Sequence, residues 1–164
     1  MIDRRRTGEA RAEQGARPQG EAMAEFARDP MHWLMKFSPD EWIRAALGEV
    51  FRAQAAYASG NVRGAIAGCK RAAGMAINAL LIVEPNEGGG RTYVEHVVAL
   101  GDDDSAPPLV RQACKLIIGM PQSRAGDSLV TLRTPSTEFK LIEASRDVIA
   151  HAWAVVKRHE STPS

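Results

Sequence analysis

The short link Ser59-Gly60-Asn61 is the feature that most constrains the fold of this chain. Gly60 can take the left-handed conformation that ends a helix, and Asn61 can cap a second helix at once. A connection this short makes the two flanking helices antiparallel neighbours. The sequence therefore predicts a helical hairpin that begins near residue 38 and ends near residue 83.

Both helices of this hairpin carry further signals. Ser38 as N-cap, Pro39 at the first helical position and Glu41 three residues after the cap form a capping box. The second helix has a small residue at every fourth position: Gly64, Gly68, Ala72 and Ala76. Such a ridge lets another helix approach closely. Packing inside a bundle explains this spacing better than membrane dimerisation does, because charged residues interrupt the segment.

Three more helices are expected after the hairpin. Thr92 to Glu95 repeats the capping box and starts a short helix to about Leu100. Residues 108–119 form an amphipathic helix, whose apolar side is predicted to hold Leu109, Ala113, Leu116 and Ile117. The last helix runs from about Ser136 to about His159. Strand patterns are nearly absent, although "SLVTLR" is either a short extended piece or loop, so we expect an all-α protein, a four- to five-helix up-and-down bundle.

The chain divides into four predicted segments: a disordered tail (1–21), a short helical arm (22–37), the helical bundle (38–159) and a C-terminal tail (160–164). The first segment is rich in Arg, Glu, Gln and Gly and has almost nothing to bury, so no core contact offsets the entropy of ordering it. Asp29-Pro30 breaks the arm into two short pieces. The side chains expected to dock the arm on the bundle are Trp33, Leu34 and Phe37.

Composition limits the partners and the compartment. The formal net charge of +1 gives no overall attraction to nucleic acid or an anionic membrane. We expect no stretch to approach membrane-spanning length, and the N-terminus lacks the apolar run of a secretory signal peptide. Cys69 and Cys114 lie far apart among small or apolar residues, which is typical of buried free thiols in a reducing compartment. We therefore expect a cytoplasmic protein with no membrane contact.

The common catalytic and metal-binding motifs are absent from the sequence. It has no P-loop, no dinucleotide-binding fingerprint and no nucleophile elbow. Four isolated His and two isolated Cys lack the spacing of metal ligands. Gly88 to Gly90 has neither the preceding strand nor the Lys of a phosphate-binding loop and is interpreted as a linker. We expect neither a cofactor nor a metal.

The last helix carries the one cluster that indicates chemistry. Its apolar stripe is predicted to contain Ile142, Ser145, Ile149, Ala152, Trp153 and Val156, and its other side gathers Glu143, Arg146, Asp147 and His151. Asp147 and His151 are four residues apart, so the carboxylate can orient or charge the imidazole. Arg146 lies about 140° around the helix from His151 and is not expected to bond it. Two copies related by a twofold axis could bring two Arg and two His to one groove.

The run "RDVIAH", Arg146 to His151, resembles the Arg-polar-x-x-x-His motif in the last helix of HEPN domains. These helical bundles are found widely in bacterial toxin–antitoxin and defence systems. An Ala-rich second helix and a short Thr-led third helix extend the resemblance over about residues 40–158. The resemblance implies a metal-independent endoribonuclease that acts on RNA as a homodimer. It also implies a cognate antitoxin, such as a small nucleotidyltransferase, as a partner.

By this resemblance Arg146 would hold the scissile phosphate. His151 would act as general base or acid on the ribose 2′-hydroxyl or the leaving 5′-oxygen, giving a 2′,3′-cyclic phosphate, and Asp147 would tune His151. Two alternatives remain open. A non-catalytic HEPN-type module would bind a partner protein, a nucleotide or RNA, and a plain helical interaction protein would carry these residues as a solvated face. His32 and His96 are predicted to be structural.

Overall fold

A computed structural model describes residues 32–86, 90–119 and 135–162 of the chain. Within these ranges it contains five α-helices: α1 (Pro39–Ala58), α2 (Val62–Val83), α3 (Tyr93–Asp102), α4 (Pro108–Gly119) and α5 (Pro135–Ser161). A 3-10 helix, Trp33–Lys36, precedes them, and the described residues contain no strand. The predicted all-α bundle is confirmed. The predicted tail, residues 22–31 of the arm and the "SLVTLR" stretch lie outside the described residues.

The predicted capping boxes are both formed. The Ser38 hydroxyl accepts a hydrogen bond from the Glu41 backbone N–H at 3.2 Å, and the Glu41 carboxylate accepts one from the Ser38 N–H at 2.8 Å. Thr92 and Glu95 exchange the same pair of bonds at the start of α3. Each box satisfies N–H groups that a helix start would otherwise leave without partners.

The link between α1 and α2 closes the predicted hairpin. Gly60 has a φ of 83°, and the Asn61 side chain accepts a hydrogen bond from the Gly64 N–H at 2.9 Å. Farther along α2, a Cβ added to Gly68 would lie 3.1 Å from the Cβ of Ala53 in α1. The small residues of α2 therefore bring the two helices into close contact, as the sequence predicts.

Helix α2 lies at the centre of the bundle and contacts all four other helices. The Ser145 hydroxyl of α5 donates to the Leu141 carbonyl of its own helix at 3.0 Å and lies 3.4 Å from the Cys69 carbonyl of α2. Farther along, His159 Nε2 lies 2.9 Å from Glu84 Oε1. The residue numbers of both helices increase from the first contact to the second, so α2 and α5 run parallel. Helix α5 is thereby held in a fixed register on the central helix.

One expectation about α2 was wrong. By length and composition, its 22 residues are long and apolar enough to cross a membrane, although the sequence was interpreted as lacking any such stretch. Of the apolar segment, 61% is buried inside the bundle. A core helix of a bundle and a membrane span share this composition, because both are surrounded by apolar groups.

Three large side chains expected in the core are instead exposed. Leu109 and Leu116 of α4 are 62% and 37% exposed. The side of α4 that faces the core is rotated from the predicted apolar side. Its buried residues are Val110, Ala113, Cys114 and Ile117. Trp153 is 52% exposed, whereas the other members of the predicted α5 stripe are buried. Periodicity identified the apolar side of each helix but not its edges.

The last residues of the predicted arm dock on the bundle. Leu34 is buried, and its carbonyl accepts a hydrogen bond from Trp42 Nε1 at 2.9 Å. Phe37 packs edge-on against Trp42, with ring centroids 4.9 Å apart. Trp33 stacks on His96 of α3, with centroids 6.1 Å apart. The 3-10 helix thus connects the start of α1 to α3.

The two cysteines are buried free thiols, as the sequence predicts. Burial raises the pKa of Cys114 to about 12. Burial also raises the pKa of Cys69, although a hydrogen bond with Ser145 opposes it. Both side chains are therefore protonated near neutral pH, and neither offers a thiolate nucleophile.

Gly74 provides a test of the packing between α2 and α3. A Cβ at this position would overlap the Cβ and ring of Tyr93, so we expect Gly74→Ala to lower the free energy of unfolding by about 1–3 kcal/mol. The matched control is Gly48→Ala in α1, where the nearest atoms belong to the Arg52 side chain at 3.6 Å. That change should raise stability by up to about 1 kcal/mol, because Ala favours helix. Urea unfolding of both variants measures the difference, and a stabilised Gly74→Ala would contradict the described contact.

Candidate functional site

Helix α5 presents Arg146 and His151 to different surroundings. The Arg146 side chain is 44% exposed, and its nearest carboxylate is that of Glu143 at 3.9 Å. His151 is half-buried against the bundle. Among the described residues no hydrogen bond or ion pair joins Arg146 to His151, in agreement with their predicted separation around the helix. A single chain therefore does not assemble the two motif residues into one site.

Asp147 does not orient His151 in this structure. Both residues are described, and neither a hydrogen bond nor an ion pair connects them. The charged groups that shift the pKa of His151 are Glu84, Asp103 and Arg158. His151 lines a cleft with these groups, so its electrostatic surroundings come from them and not from the predicted pairing with Asp147.

We call this concave surface the His151 cleft. It has a volume of about 240 Å³ and lies between the end of α2, helix α3, the α3–α4 link and α5. Its polar lining comprises Glu84, Asn86, His96, Asp103, Ser105, His151 and Arg158. Its apolar lining includes Ile77, Leu80, Leu100 and Val155. Polar and apolar residues line it in similar numbers, and polar groups that converge in a concave site are typical of small-molecule sites.

Helix ends position the two carboxylates of the cleft. Glu84 is the C-cap residue of α2, and its Oε1 lies 2.9 Å from His159 Nε2. Asp103 is the C-cap residue of α3, and its Oδ1 accepts hydrogen bonds from the Ser105 N–H at 2.9 Å and the Ser105 hydroxyl at 2.6 Å. The bonds from Ser105 lower the pKa of Asp103. Asp103 is therefore an ionised, well-positioned acceptor at neutral pH.

The electrostatics of the cleft favour a neutral His151. Burial lowers the pKa of its imidazole, and the positive charge of Arg158 acts in the same direction. The carboxylates of Glu84 and Asp103 oppose this shift but do not reverse it. An imidazole that is neutral near pH 7 can accept a proton from a ligand, as a general base must.

The end of α5 does more than the sequence indicated. Residues 157–159 lie outside the Arg146–His151 motif, and their charges alone indicate a solvated helix face. In the structure Lys157 Nζ binds Asp40 of α1 at 3.1 Å, and Arg158 lines the His151 cleft. Arg158 follows His151 by seven residues, which is two helical turns, so helical spacing alone could have indicated that they share a face.

The two remaining histidines of interest have the structural roles that were predicted. His32 caps the 3-10 helix, because its Nδ1 accepts a hydrogen bond from the Leu34 N–H at 3.2 Å. His96 is 1% exposed and stacks on Trp33. His96 also forms part of the wall of the His151 cleft, which the sequence did not predict.

The solvent side of α5 carries a second candidate surface, which we call the outer face. It contains Phe139, Glu143, Arg146, Ala150 and Trp153, all exposed. Phe139 is 57% and Trp153 52% exposed, and Arg146 lies seven residues from each of them. Exposed aromatic side chains at heptad spacing are typical of a helix that pairs with another.

No match was found among protein-family models, curated proteins or solved structures. Within the described ranges, no group of three or more His, Cys, Asp or Glu side chains could hold a metal ion. The HEPN resemblance and the roles it implies for Arg146, Asp147 and His151 therefore stay predictions.

The lowered pKa of His151 has a consequence for stability. As the pH falls below about 6.5, the unfolded chain binds a proton at this position before the folded chain does. The contribution of neutral His151 is therefore fully present above about pH 6.5 and declines as the pH falls towards the lower folded-state pKa. We expect the melting temperature of the wild type to fall more steeply from about pH 7 to about pH 5 than that of His151→Gln. Parallel curves for the two proteins would contradict the described burial of His151.

Proposed function

We propose that the protein is a HEPN-like, metal-independent endoribonuclease that acts on RNA as a homodimer. The observation that carries this proposal is the outer face of α5, where Arg146 lies between the exposed side chains of Phe139 and Trp153. Covering two aromatic side chains removes apolar surface from water and so favours association. A second copy of the same helix is the partner that we propose.

The charges of α5 suit an antiparallel pairing with itself. Glu143 and Lys157 each lie seven residues from Ala150, on opposite sides of it in the sequence. In an antiparallel pair centred on Ala150, Glu143 of each copy would lie opposite Lys157 of the other, which also contacts Asp40 of its own chain. The small side chain of Ala150 would let the two helices approach closely at the centre.

The same pairing would complete the site. Arg146 of one copy would lie level with Ala154 of the other, within one helical turn of that copy's His151. The two motif residues, which diverge in a single protomer, would then approach each other across the twofold axis. This arrangement would give two equivalent sites in each dimer.

The chemistry follows from the properties of the two side chains. Neutral His151 would remove the proton of the ribose 2′-hydroxyl, whose oxygen attacks the adjacent phosphorus. The bond from phosphorus to the 5′-oxygen would break, leaving a 2′,3′-cyclic phosphate and a 5′-hydroxyl that takes up a proton. The guanidinium of Arg146 would stabilise the charge that develops on the phosphate oxygens. A toxin or defence ribonuclease of bacterial type, controlled by an antitoxin such as a small nucleotidyltransferase, is the biological setting that we propose.

The second candidate function is a binding module that does not cut RNA. The His151 cleft favours it, since a concave site of about 240 Å³ with converging polar groups suits a small ligand whether or not a bond is broken. Variants of the motif separate the two candidates, because only the ribonuclease requires both Arg146 and His151.

We expect Arg146→Ala and His151→Ala each to abolish RNA cleavage without changing the fold, because neither side chain is part of the apolar core. Cleavage by the wild type should survive chelation by EDTA. The control is Arg63→Ala, which removes an exposed arginine from α2, outside the motif. This variant should keep full activity. Asp147→Asn should have little effect on the maximum rate. Cleavage that persists in His151→Ala would refute the assigned role.

Mixing the two inactive variants tests whether the site is shared between copies. Each dimer of one Arg146→Ala chain and one His151→Ala chain would retain one intact site. Random exchange should therefore restore about a quarter of the wild-type activity, since half of the dimers are mixed and each has one of two sites. Restoration is measured after unfolding and refolding the two variants together. No recovery, with dimers present by light scattering, would show that the two residues do not act across the interface.

A further inference from the structure

The His151 cleft contains charged groups that the proposed cleavage does not use. Two carboxylates, those of Glu84 and Asp103, line it together with one guanidinium, that of Arg158. With His151 neutral, the negative charges outnumber the positive ones. The interior of the cleft is therefore poorly suited to a phosphate group, which like charges would repel.

The surroundings of the two carboxylates distinguish them. Glu84 already has an imidazole partner, His159, at 2.9 Å. Asp103 has no cation within ion-pair distance among the described residues, and its two hydrogen bonds from Ser105 both end on Oδ1. Asp103 is thus fixed in place and keeps its negative charge facing a partly apolar hollow. A ligand that offers N–H donors to this carboxylate would form charge-assisted hydrogen bonds.

The size and the walls of the cleft restrict the shape of such a ligand. About 240 Å³ is below the usual range of about 300–1,000 Å³ for drug-sized ligands, so the cleft suits a compact group. Leu80 and Leu100 supply apolar surface, and the imidazole of His96 lies in the wall. A flat ring system with polar edges fits these conditions better than a flexible alkyl chain, because aliphatic side chains such as Leu80 and Leu100 pack against ring faces.

We propose that the His151 cleft binds a guanine base, with the Asp103 carboxylate accepting hydrogen bonds from the guanine N1–H and 2-amino groups. Among the common bases, guanine presents two adjacent N–H donors on one edge, which match the two oxygens of a carboxylate. The inference deepens the proposed ribonuclease function, on which it rests, by naming the base held beside His151. A guanine in single-stranded RNA and a free guanine nucleotide present the same edge, so both are sources of this ligand.

Binding of free nucleotides to the full-length protein tests the contact directly. Isothermal titration with GMP, IMP and AMP compares three purine nucleotides, of which IMP differs from GMP only in lacking the 2-amino group. We expect GMP to bind about tenfold or more tightly than IMP, since a hydrogen bond to a charged group is lost, and AMP to bind more weakly still. Equal affinities for GMP and IMP would overturn the proposal without any variant protein.

Two matched variants test the assignment to Asp103. Asp103→Asn removes the charge but keeps an oxygen for Ser105, and it should reduce GMP affinity about tenfold or more. Asp102→Asn makes the same change in net charge one residue away, outside the His151 cleft, and should leave GMP affinity unchanged. Similar losses in both variants, or none in either, would overturn the assignment.

Cleavage of short single-stranded RNAs that contain one guanine or none is compared with the binding of free GMP. The comparison distinguishes guanine in RNA from a free guanine nucleotide, and the guanine site from the ribonuclease. If the wild type cleaves beside guanine and the Asp103→Asn variant cleaves beside any base, both the guanine site and the ribonuclease are supported. Cleavage by the wild type without base preference, together with no GMP binding, would overturn the guanine site and leave the ribonuclease standing. Asp103-dependent GMP binding by a protein that cuts no RNA would support the guanine site and overturn the ribonuclease.

Discussion

The close approach of neighbouring helices to α2 is the constraint on which the rest of the structure depends. Gly68 leaves room for Ala53 of α1, and Gly74 leaves room for Tyr93 of α3. With its neighbours at these distances, α2 can contact every other helix of the bundle. The buried side of α5, which includes Ser145, Val148 and Ile149, packs against these helices and sets the rotation of α5 about its own axis. That rotation turns His151 towards the bundle and leaves Arg146 in solvent.

Much of the fold could be predicted from the sequence because its strongest signals are local. A capping box such as Ser38 with Glu41 spans four residues, so its geometry does not depend on distant parts of the chain. The edges of apolar stripes were less predictable. Trp153 lies at the border of its stripe, and whether such a side chain is covered depends on the spacing of neighbouring helices, which a single helix pattern does not contain.

The candidate site was only partly predictable for a related reason. Arg146 and His151 belong to one short motif, and their separation around the helix follows from helical geometry. The cleft beside His151 depends on Glu84 and Asp103, which are separated from it by 67 and 48 residues. These two residues end α2 and α3, and only the packing of those helices on α5 brings them to the imidazole. A single sequence gives no measure of that proximity.

The three tryptophans of this chain occupy three distinct environments, so the protein carries its own optical reporters. Trp42 is buried with its indole N–H bonded to a carbonyl, Trp33 stacks on an imidazole, and Trp153 faces solvent. Emission from Trp42 and Trp33 would follow the docking of the 3-10 helix. Emission from Trp153 would follow anything that covers the outer face of α5, and variants that keep a single tryptophan would separate that signal from the folding of the bundle.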